Sequence, residues 1–372
     1  MKRRLFAVVF AAVLILSLAL TACQPAAAPA APAEPAEPAE PVAEVEPTEV
    51  PPVEEAEPVL GSAEKPIKVL FVPSVDANAI VTGGEVMAKA LNQATGLNFE
   101  VVVPSSYAAT IEEMCASPDD TMGFIPALGY VFASELCGVD VAFKAIRYGE
   151  SVYWAQFIVQ RDSGIDKFED LAGKKWGYGD VGSTSGYQFP LTMLAEAGIE
   201  PGEKVETGGH PQSVKAVYNG EVDFATTFYT PPGKPEGEPA WKEGDAPDIP
   251  DDLVSSCKVE EKNIMCSGWE IRDARANIRE EAPDVIQKVK ILTITQGIPN
   301  DTLSFGPDFP ADVRAQIETA LLDYSTTEDW ANTIGTKDFY NWTGIDKAED
   351  ADYDIVRKMV QAVGVKLEDL GK

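Results

Sequence analysis

From residue 66 onward, short apolar runs alternate with longer segments whose apolar residues recur with helical spacing. The short runs have the length and the β-branched content of strands. Several of the longer segments end at a glycine that can close a helix. In the first half of the chain we predict strands at 67–72, 98–103, 123–125, 139–146 and 152–159, and helices at 79–94, from 105, and at 127–135. This alternation indicates an α/β fold with a largely parallel sheet.

The alternation starts again after residue 160 and predicts a second α/β unit. Its expected elements are a short helix at 165–175, strands at 176–178 and 222–227, and helices at 186–198 and 211–219. Beyond it we predict a return strand at 264–271 and helices at 278–296, 311–324 and 351–363. The expected domains are a first lobe begun by 66–154, a second lobe at 155–265, and completion of the first lobe by 266–372.

The N-terminus has the pattern of an export signal. A basic start precedes an apolar run at 5–20, which is shorter than the ~20 residues that cross a bilayer. The leader ends at Cys23 and resembles a bacterial lipoprotein signal, which implies cleavage after residue 22 and lipidation of the Cys23 sulfur. We therefore expect 1–22 to be a signal peptide. The expected location is the outer face of the cytoplasmic membrane, through a lipid anchor, or the periplasm.

Residues 23–65 are rich in alanine, proline and glutamate and have no apolar periodicity that could form a core. Proline and like-charged glutamates favour an extended chain, so we expect a disordered tether. At ~3.1 Å per residue its contour length is roughly 120 Å, an upper bound on its reach.

Acidic residues dominate the composition. The chain has 60 acidic and 30 basic residues, and a net charge of −24 remains when residues 1–65 are left out. Such a charge disfavours nucleic acid and anionic lipid surfaces as partners. We therefore expect no nucleic-acid partner, and contact with the membrane through the lipid anchor only.

Four cysteines follow Cys23 in what the leader implies is an oxidising compartment. They permit three connectivities, of which we favour the near pairs, Cys115–Cys137 and Cys257–Cys266, as structural disulfides. Their spacing does not match a zinc site, and the chain has a single histidine, so no metal is expected.

A polar turn lies between the strand at 176–178 and the next predicted helix. Ser183, Thr184 and Ser185 supply three hydroxyls there, and the first amides of a helix have no partner within it. Hydroxyls, free amides and the helix dipole together favour an anion. The same residues would also be typical of a helix N-cap that binds no ligand.

The histidine, His210, precedes Pro211 at the start of another short helix. By itself it could be a surface residue in a loop. Because helix N-termini gather at the carboxyl edge of parallel strands, both polar helix starts of the second unit are expected at one ligand crevice. This places His210 near the Ser183–Ser185 turn.

We find no catalytic signature in the sequence. The segment 182–186 differs from a G-x-S-x-G nucleophile elbow because Thr184 occupies its centre. There is no Walker-type loop, and no G-x-G-x-x-G follows the first strand. We expect neither an enzyme nor a bound cofactor. An extracellular hydrolase that uses Ser183 or Ser185 is the least supported alternative.

Several features together resemble the PhnD-like phosphate-, phosphite- and phosphonate-binding proteins of ABC transporters. They are Ser183-Thr184-Ser185-Gly186, His210 followed by Val222-Asp223, Tyr107 within Ser-Tyr-Ala-Ala-Thr-Ile, Tyr153-Trp154 before an apolar strand, and the segment 166–175. The resemblance covers most of 66–300 and becomes vague after about residue 300. It implies a two-lobed, type II periplasmic-binding-protein-like α/β fold, with a ligand cleft between lobes joined by crossing strands.

The resemblance also implies the site and the partners. In that family the Ser-Thr-Ser turn holds phosphonate oxygens through hydroxyls and amides, which implies this role for Ser183, Thr184 and Ser185. Tyr107, Tyr153 and His210 match further donors. The implied protein is a lipid-anchored, solute-binding component of an ABC importer. It would capture a small phosphorus oxyanion by bending near 152–160 and 264–271, and deliver it to a permease driven by an ATPase.

Two segments depart from the family pattern. Relatives that take aminoalkyl phosphonates hold the amine with carboxylates, whereas 228–231 and 265–268 contain no acid here. This favours phosphate, phosphite or a small alkyl phosphonate. The alternatives are the same fold binding a sulfonate or a carboxylate, and a sensory lipoprotein that serves a signalling partner.

Overall fold

The structure is a computed structural model that describes residues 57–369. The predicted signal peptide, Cys23 and most of the predicted tether lie outside the described residues. The described end of that tether contacts the first lobe. Gly61 accepts a hydrogen bond from Asn98 N through its carbonyl at 2.8 Å, and the Lys65 ammonium lies 2.6 Å from an Asp119 carboxylate oxygen.

Fifteen strands lie within residues 57–369. Their bounds are β1 Ile67–Phe71, β2 Phe99–Val102, β3 Thr121–Ile125, β4 Asp140–Ile146, β5 Val152–Gln160, β6 Trp176–Tyr178, β7 Lys204–Glu206, β8 Phe224–Tyr229, β9 Lys258–Glu260, β10 Asn263–Cys266, β11 Trp269–Ile271, β12 Val289–Ile294, β13 Ile298–Pro299, β14 Thr302–Phe305 and β15 Gly344–Lys347.

The same part of the chain contains nine α-helices. They are α1 Ala77–Thr95, α2 Tyr107–Ala116, α3 Ala127–Cys137, α4 Phe189–Glu196, α5 His210–Asn219, α6 Val285–Lys288, α7 Ala311–Tyr324, α8 Glu328–Asn332 and α9 Asp354–Val363. The predicted helix at 165–175 is reduced to one 3₁₀ turn at Phe168–Leu171, and a π-helical turn at Thr184–Gln188 precedes α4. None of the helices within residues 57–369 has both the length and the apolarity that a membrane span requires.

The first lobe is built on a six-stranded sheet in the order β15-β4-β14-β3-β1-β2. β1 pairs in parallel with β2 and β3, as the βαβ pattern predicts. β14 is antiparallel to both β3 and β4, and β15 is antiparallel to β4. The sheet is therefore mixed, not largely parallel, because β14 enters from the second lobe in the opposite direction.

The second lobe is built on a sheet in the order β12-β5-β8-β6-β7, with β13 also paired to β5. Helices and loops cover both faces of this sheet. Trp154 and Ile158 of β5 pack into one core, while Phe157 and Val159 pack into another on the opposite face. Tyr153 of the same strand packs into the core of the first lobe, so β5 belongs to both lobes. These two lobes are the architecture of a type II periplasmic binding protein.

The predicted return strand at 264–271 is wrong. That segment forms the hairpin of β10 and β11 in a small antiparallel sheet with β9. The chain returns to the first lobe through β12 and β13, where Val289 pairs with Gln160 and Ile298 pairs with Tyr153. The hinge that we expected at 264–271 therefore does not lie on a connection between the lobes.

The predicted helix at 278–296 is also wrong for most of its length. Only Val285–Lys288 is α-helical, and Val289–Ile294 is a strand that pairs with β5. The apolar spacing fits both periods, but Val289, Ile291 and Ile294 are β-branched and find an open strand edge in β5. The partner strand, which is remote in sequence, decides between the two conformations.

Two disulfides join neighbouring elements. Cys115–Cys137 links α2 to the end of α3, and Cys257–Cys266 links the segment before β9 to β10. These are the near pairs that we favoured from the sequence.

Candidate functional site

The polar turn after β6 is held in place by its own side chains. The Ser183 hydroxyl oxygen accepts from Gly186 N at 3.0 Å, and Asp180 Oδ1 accepts from Gly182 N at 2.6 Å. Gly182 also allows the two lobes to approach, because a Cβ there would lie 2.8 Å from the Tyr107 Cβ. Burial raises the pKa of the Asp180 carboxyl. The turn is therefore both an N-cap and a contact with the first lobe.

Thr184 has a different position from its two serine neighbours. It is completely buried, and its hydroxyl oxygen accepts from Leu128 N at 3.1 Å, at the start of α3 in the first lobe. Ser183 and Ser185 line a cavity, and Thr184 does not. The Thr184 side chain therefore joins the turn to the other lobe and does not face the cavity.

Two tyrosines from the first lobe and the crossing strand face this turn. Tyr107 is the first residue of α2, where Ser106 is the N-cap, and Tyr153 lies on β5. Burial raises the pKa of both phenols, with the negative charge of Asp180 adding to the effect at Tyr107 and that of Asp301 at Tyr153. Both side chains therefore remain neutral hydroxyls that can donate a hydrogen bond.

His210 begins α5, as the sequence predicts, and lies on the same cavity. Its backbone N donates to Ser74 O of the first lobe at 3.3 Å, and its ring meets the Phe228 ring edge-on at 5.2 Å. Burial, and then the charge of Arg147, lower the pKa of His210 to about 4. Nδ1 is buried and has no hydrogen-bond partner within the described residues. The ring is thus neutral at physiological pH and has a free polar atom.

These side chains surround one cavity of about 50 Å³ between the two lobes. Tyr107, Tyr153, Ser183, Ser185 and His210 all line it, and each is at least nine-tenths buried. Apolar walls are supplied by Val72, Val75, Phe124, Ile125, Phe228 and Phe339. The cavity therefore has a polar side rich in neutral donors and an apolar side.

Two charged residues of the cavity wall, Arg147 and Asp301, were not expected from the sequence. Arg147 follows β4 and Asp301 precedes β14, so each lies on a different connection between the lobes. The Arg147 guanidinium donates to Asp301 Oδ2 at 2.6 Å, to Asn300 Oδ1 at 2.6 Å and to Tyr340 O at 3.3 Å. No local motif marks either residue. The hydroxyls and turn amides expected from the sequence are therefore joined on the cavity wall by an ion pair.

A second missed group comes from the C-terminal segment, where the resemblance is vague. Lys337, Phe339, Tyr340 and Asn341 all line the cavity. Tyr340 donates to Val72 O at 2.7 Å, which fixes the segment against β1. The only signal in the sequence is the aromatic run at 339–342, which could equally belong to a core.

The two segments that depart from the family pattern have different positions. Phe228 lines the cavity, whereas 265–268 is not part of its wall. An acid does face the cavity, but it is Asp301 from the return connection, and Arg147 already binds it. Within residues 57–369, no cluster of histidine, cysteine, aspartate and glutamate could hold a metal ion.

The sequence of residues 69–353 matches a family profile described as the ABC transporter, phosphonate, periplasmic substrate-binding protein. The chain belongs to this family. The profile covers both lobes and all of the cavity residues named above. Membership places the chain among the substrate-binding proteins of ABC transporters, a class located in the periplasm.

Individual relatives agree with this membership. The phosphate-import protein PhnD of Mycolicibacterium smegmatis is 29% identical over 183 residues, which are 44% of this chain and 55% of the relative. The chain thus spans about half the length of this curated relative.

Two solved structures share the fold. A binding protein component of an ABC phosphonate transporter from Pseudomonas aeruginosa has a TM-score of 0.60 at 17% identity, covering 79% of this chain and 85% of that one. PhnD1 from Prochlorococcus marinus, solved in complex with methylphosphonate, has a TM-score of 0.59 at 14% identity. The match covers 80% of this chain and 98% of that one.

Proposed function

We propose that this chain captures phosphate, phosphite or a small alkyl phosphonate in the cavity between its lobes and delivers it to an ABC permease. The observation that carries the proposal is the convergence of Tyr107, Tyr153, Ser183, Ser185 and His210 on one cavity of about 50 Å³. Neutral hydroxyls, turn amides and an imidazole at fixed positions suit the oxygens of a tetrahedral oxyanion.

Ser183, Thr184 and Ser185 have different roles in this proposal. Ser183 and Ser185 bind ligand oxygens through their hydroxyls. Thr184 contributes through its backbone, because its side chain is not part of the cavity wall. This arrangement connects ligand capture to closure, since the same turn contacts both the ligand and the first lobe.

Short-range donors outweigh the long-range charge of the protein. The net charge of −24 beyond residue 65 repels an anion. At physiological salt the Debye length is ~8 Å, so most of those surface charges are screened from the cavity. Arg147 lies within the cavity wall and is paired with Asp301 at 2.6 Å, so the neutral donors supply most of the attraction for an anion.

The proposed ligand carries no amine. An ammonium group needs a carboxylate partner, and the acid on the cavity wall, Asp301, is held by Arg147 at 2.6 Å. Phe228 presents an aromatic ring where a second acid would be needed. A ligand with a hydrogen, hydroxyl or methyl substituent on phosphorus suits these walls better.

The proposal includes an anchor and a location. We propose that 1–22 is removed, that Cys23 is acylated, and that the segment to residue 65 tethers the binding lobes to the outer face of the cytoplasmic membrane. Mass spectrometry of the N-terminus from the native host would detect the lipid on Cys23. A Cys23→Ala variant should appear in the soluble fraction, and its retention in the membrane would contradict the anchor.

A ligand panel tests the binding function. Thermal shift and calorimetry with phosphate, phosphite, methylphosphonate, aminoethylphosphonate, sulfate, methanesulfonate and acetate should show the strongest effect for one of the first three. Preference for the sulfonate or the carboxylate would favour the alternative ligand classes. No response to any phosphorus oxyanion would contradict the proposal.

Substitutions test the site itself. Ser185→Ala and Tyr153→Phe each remove one donor and should weaken binding about tenfold or more, since one hydrogen bond to a charged group contributes about 1.5–3 kcal/mol. Ser304→Ala is the matched control, because Ser304 is buried and bonds to the Thr302 hydroxyl at 2.8 Å away from the cavity wall. Equal effects at all three sites would indicate general destabilisation.

We also propose that the chain has no catalytic activity and serves transport. Assays for release of phosphate from phosphonates and phosphate esters should show no turnover. Turnover that disappears in Ser183→Ala would instead support the hydrolase alternative. Stimulation of a cognate transporter ATPase by the loaded protein would separate transport from a purely sensory role.

A further inference from the structure

Each charged side chain on the cavity wall contacts a side chain of opposite charge. Arg147 and Asp301 lie 2.6 Å apart, and their side chains are 9% and 19% exposed. The Arg147 guanidinium also lies 5.2 Å from the centre of the Tyr153 ring. Because the pair joins one full positive and one full negative charge, it adds local dipoles to the cavity but no net charge.

Lys337, the other charged residue of the wall, is paired as well. Its ammonium lies 2.8 Å from Glu270 Oε1 and 2.8 Å from Asn263 Oδ1, and it also donates to Ile271 O at 3.0 Å. Glu270 is bound in addition by Arg272 at 2.8 Å. Lys337 therefore has its ammonium committed to the second lobe.

The phenols and the imidazole around the pair are uncharged at neutral pH. Asp180, whose pKa is raised by burial, accepts from Tyr107 N at 3.5 Å but is not part of the cavity wall. The charge of Asp301 acts on four phenols, all with raised pKa values: Tyr107, Tyr153, Tyr340 and Tyr353. His210, which faces Arg147, has its pKa lowered to about 4. Between about pH 5.5 and about pH 9, none of these five groups changes its charge appreciably.

A cavity with little net charge discriminates between ligand charge states. The cost of moving an ion from water into a medium of low dielectric grows with the square of its charge, so a dianion costs roughly four times as much as a monoanion of equal size. Hydrogen-bond donors compensate part of this cost for either ion. The difference favours the ligand form with one negative charge.

The wall also contains hydrogen-bond acceptors that a fully deprotonated ligand could not use. The Asp301 carboxylate can only accept hydrogen bonds. Nδ1 of His210 is buried without a partner and can accept from a hydroxyl when the ring proton is on the other nitrogen. A ligand that keeps one P–OH group can donate to one of these atoms, whereas a dianion has no proton to offer.

We propose, on the basis of the proposed function, that the Arg147–Asp301 pair makes the cavity selective for the singly charged, protonated form of a phosphorus oxyanion. Asp301 is the residue that determines this selectivity. It cancels the charge of Arg147 and disfavours a second negative charge on the ligand. Arg147 holds the carboxylate in the cavity wall and adds donors on that side.

The wild-type protein tests this without any substitution. Calorimetric titrations with methylphosphonate from about pH 5.5 to about pH 9 should show constant affinity below the second ionisation of the ligand. Above it, affinity should fall about tenfold per pH unit, in step with the fraction of monoanion. Sulfate, a dianion throughout this range, should bind at least a hundredfold more weakly than methylphosphonate at the lowest pH. Affinity that is constant or rises with pH would overturn the inference.

A matched pair of variants assigns the effect to Asp301. Asp301→Asn keeps an oxygen for the Arg147 guanidinium and removes one negative charge, so it should bind methylphosphonate at least tenfold more tightly than wild type at about pH 9 and show a weaker pH dependence. Asp352→Asn makes the same change in net charge at a residue that pairs with Lys144 at 3.0 Å, outside the cavity wall. It should keep the wild-type profile. Identical profiles for the two variants would overturn the role of Asp301.

Failure of the inference can be distinguished from failure of the proposed function. If no phosphorus oxyanion binds at any pH, the proposed function is wrong. If methylphosphonate binds and its affinity does not change with pH across its second ionisation, only the charge selectivity is wrong. If Asp301→Asn does not fold, as a thermal melt would show, the wild-type pH series decides the question by itself.

Discussion

The Lys337 ammonium lies 2.8 Å from Glu270 Oε1 and connects the two lobes beside the cavity. Lys337 belongs to a segment whose neighbours Phe339 and Trp342 pack in the core of the first lobe, whereas Glu270 lies on β11 of the second. Asp338 adds a bidentate pair with Arg279 at 2.8 Å for each bond. These contacts hold the lobes together around the cavity.

Removing the Lys337 ammonium should weaken the contact between the two lobes. Lys337→Met keeps the length of the side chain but loses three hydrogen bonds to the second lobe. Losing buried, charge-assisted bonds costs about 1.5–3 kcal/mol, so ligand affinity should fall about ten- to hundredfold, mainly through faster release. Stopped-flow fluorescence would measure the release rate.

The control for this prediction is Lys290→Met. Lys290 pairs with Asp166 at 2.6 Å, and both residues belong to the second lobe, so its loss should leave release unchanged. If both variants release ligand at the wild-type rate, the contact between the lobes does not govern opening.

Thr184→Val should lower stability more than it changes ligand contacts. The substitution preserves shape but leaves Leu128 N without its acceptor in a buried position. An unsatisfied buried donor costs about 1–3 kcal/mol. Urea denaturation should show this loss, whereas Ser185→Ala should affect ligand affinity more than stability. A Thr184→Val variant as stable as wild type would contradict the role of this hydroxyl.

The protein should lose stability in acid partly through His210. Its folded-state pKa of about 4 lies below the ordinary value of 6.5, so the folded state disfavours the charged ring. The contribution is intact above pH 6.5 and is lost as pH falls toward 4. At about pH 4.5 the loss of unfolding free energy amounts to roughly 2–3 kcal/mol.

Comparing wild type with a His210→Gln variant isolates the part of this loss of stability that His210 causes. Urea denaturation at about pH 7.5 and about pH 4.5 should show a smaller difference for the variant, because glutamine does not titrate. Carboxylates that titrate in the same range are common to both proteins and cancel. An equal loss in both proteins would mean that His210 is charged in the folded state or exposed to water.

The Cys115–Cys137 disulfide should stabilise the first lobe. It closes a loop with a sequence separation of 22 residues between α2 and α3. Constraining a loop of this length contributes roughly 3 kcal/mol through the unfolded state. A Cys115→Ala/Cys137→Ala double variant should unfold at lower urea concentration, and reductant should then change its midpoint less than it changes that of wild type.

Local sequence predicted the elements whose signals are local. The helix at Ala77–Thr95 begins where Asp76 accepts from Asn78 N and Ala79 N, and ends at Gly96 in the left-handed region. The Ser183–Ser185 turn and His210 were found in the same way, because helix starts carry their own caps and polar residues. The resemblance to the family added Tyr107 and Tyr153.

Long-range pairing decided what local sequence could not. Val289–Ile294 forms a strand because β5 offers it an edge, and the apolar spacing within 278–296 fits a helix as well as a strand. Arg147 and Asp301 are 154 positions apart in sequence. They are in contact because two connections between the lobes lie side by side. The sequence by itself determined the donors of the site and their order along the chain. The tertiary structure decided which charges face the cavity, because charge pairing depends on distance in space and not on spacing in sequence.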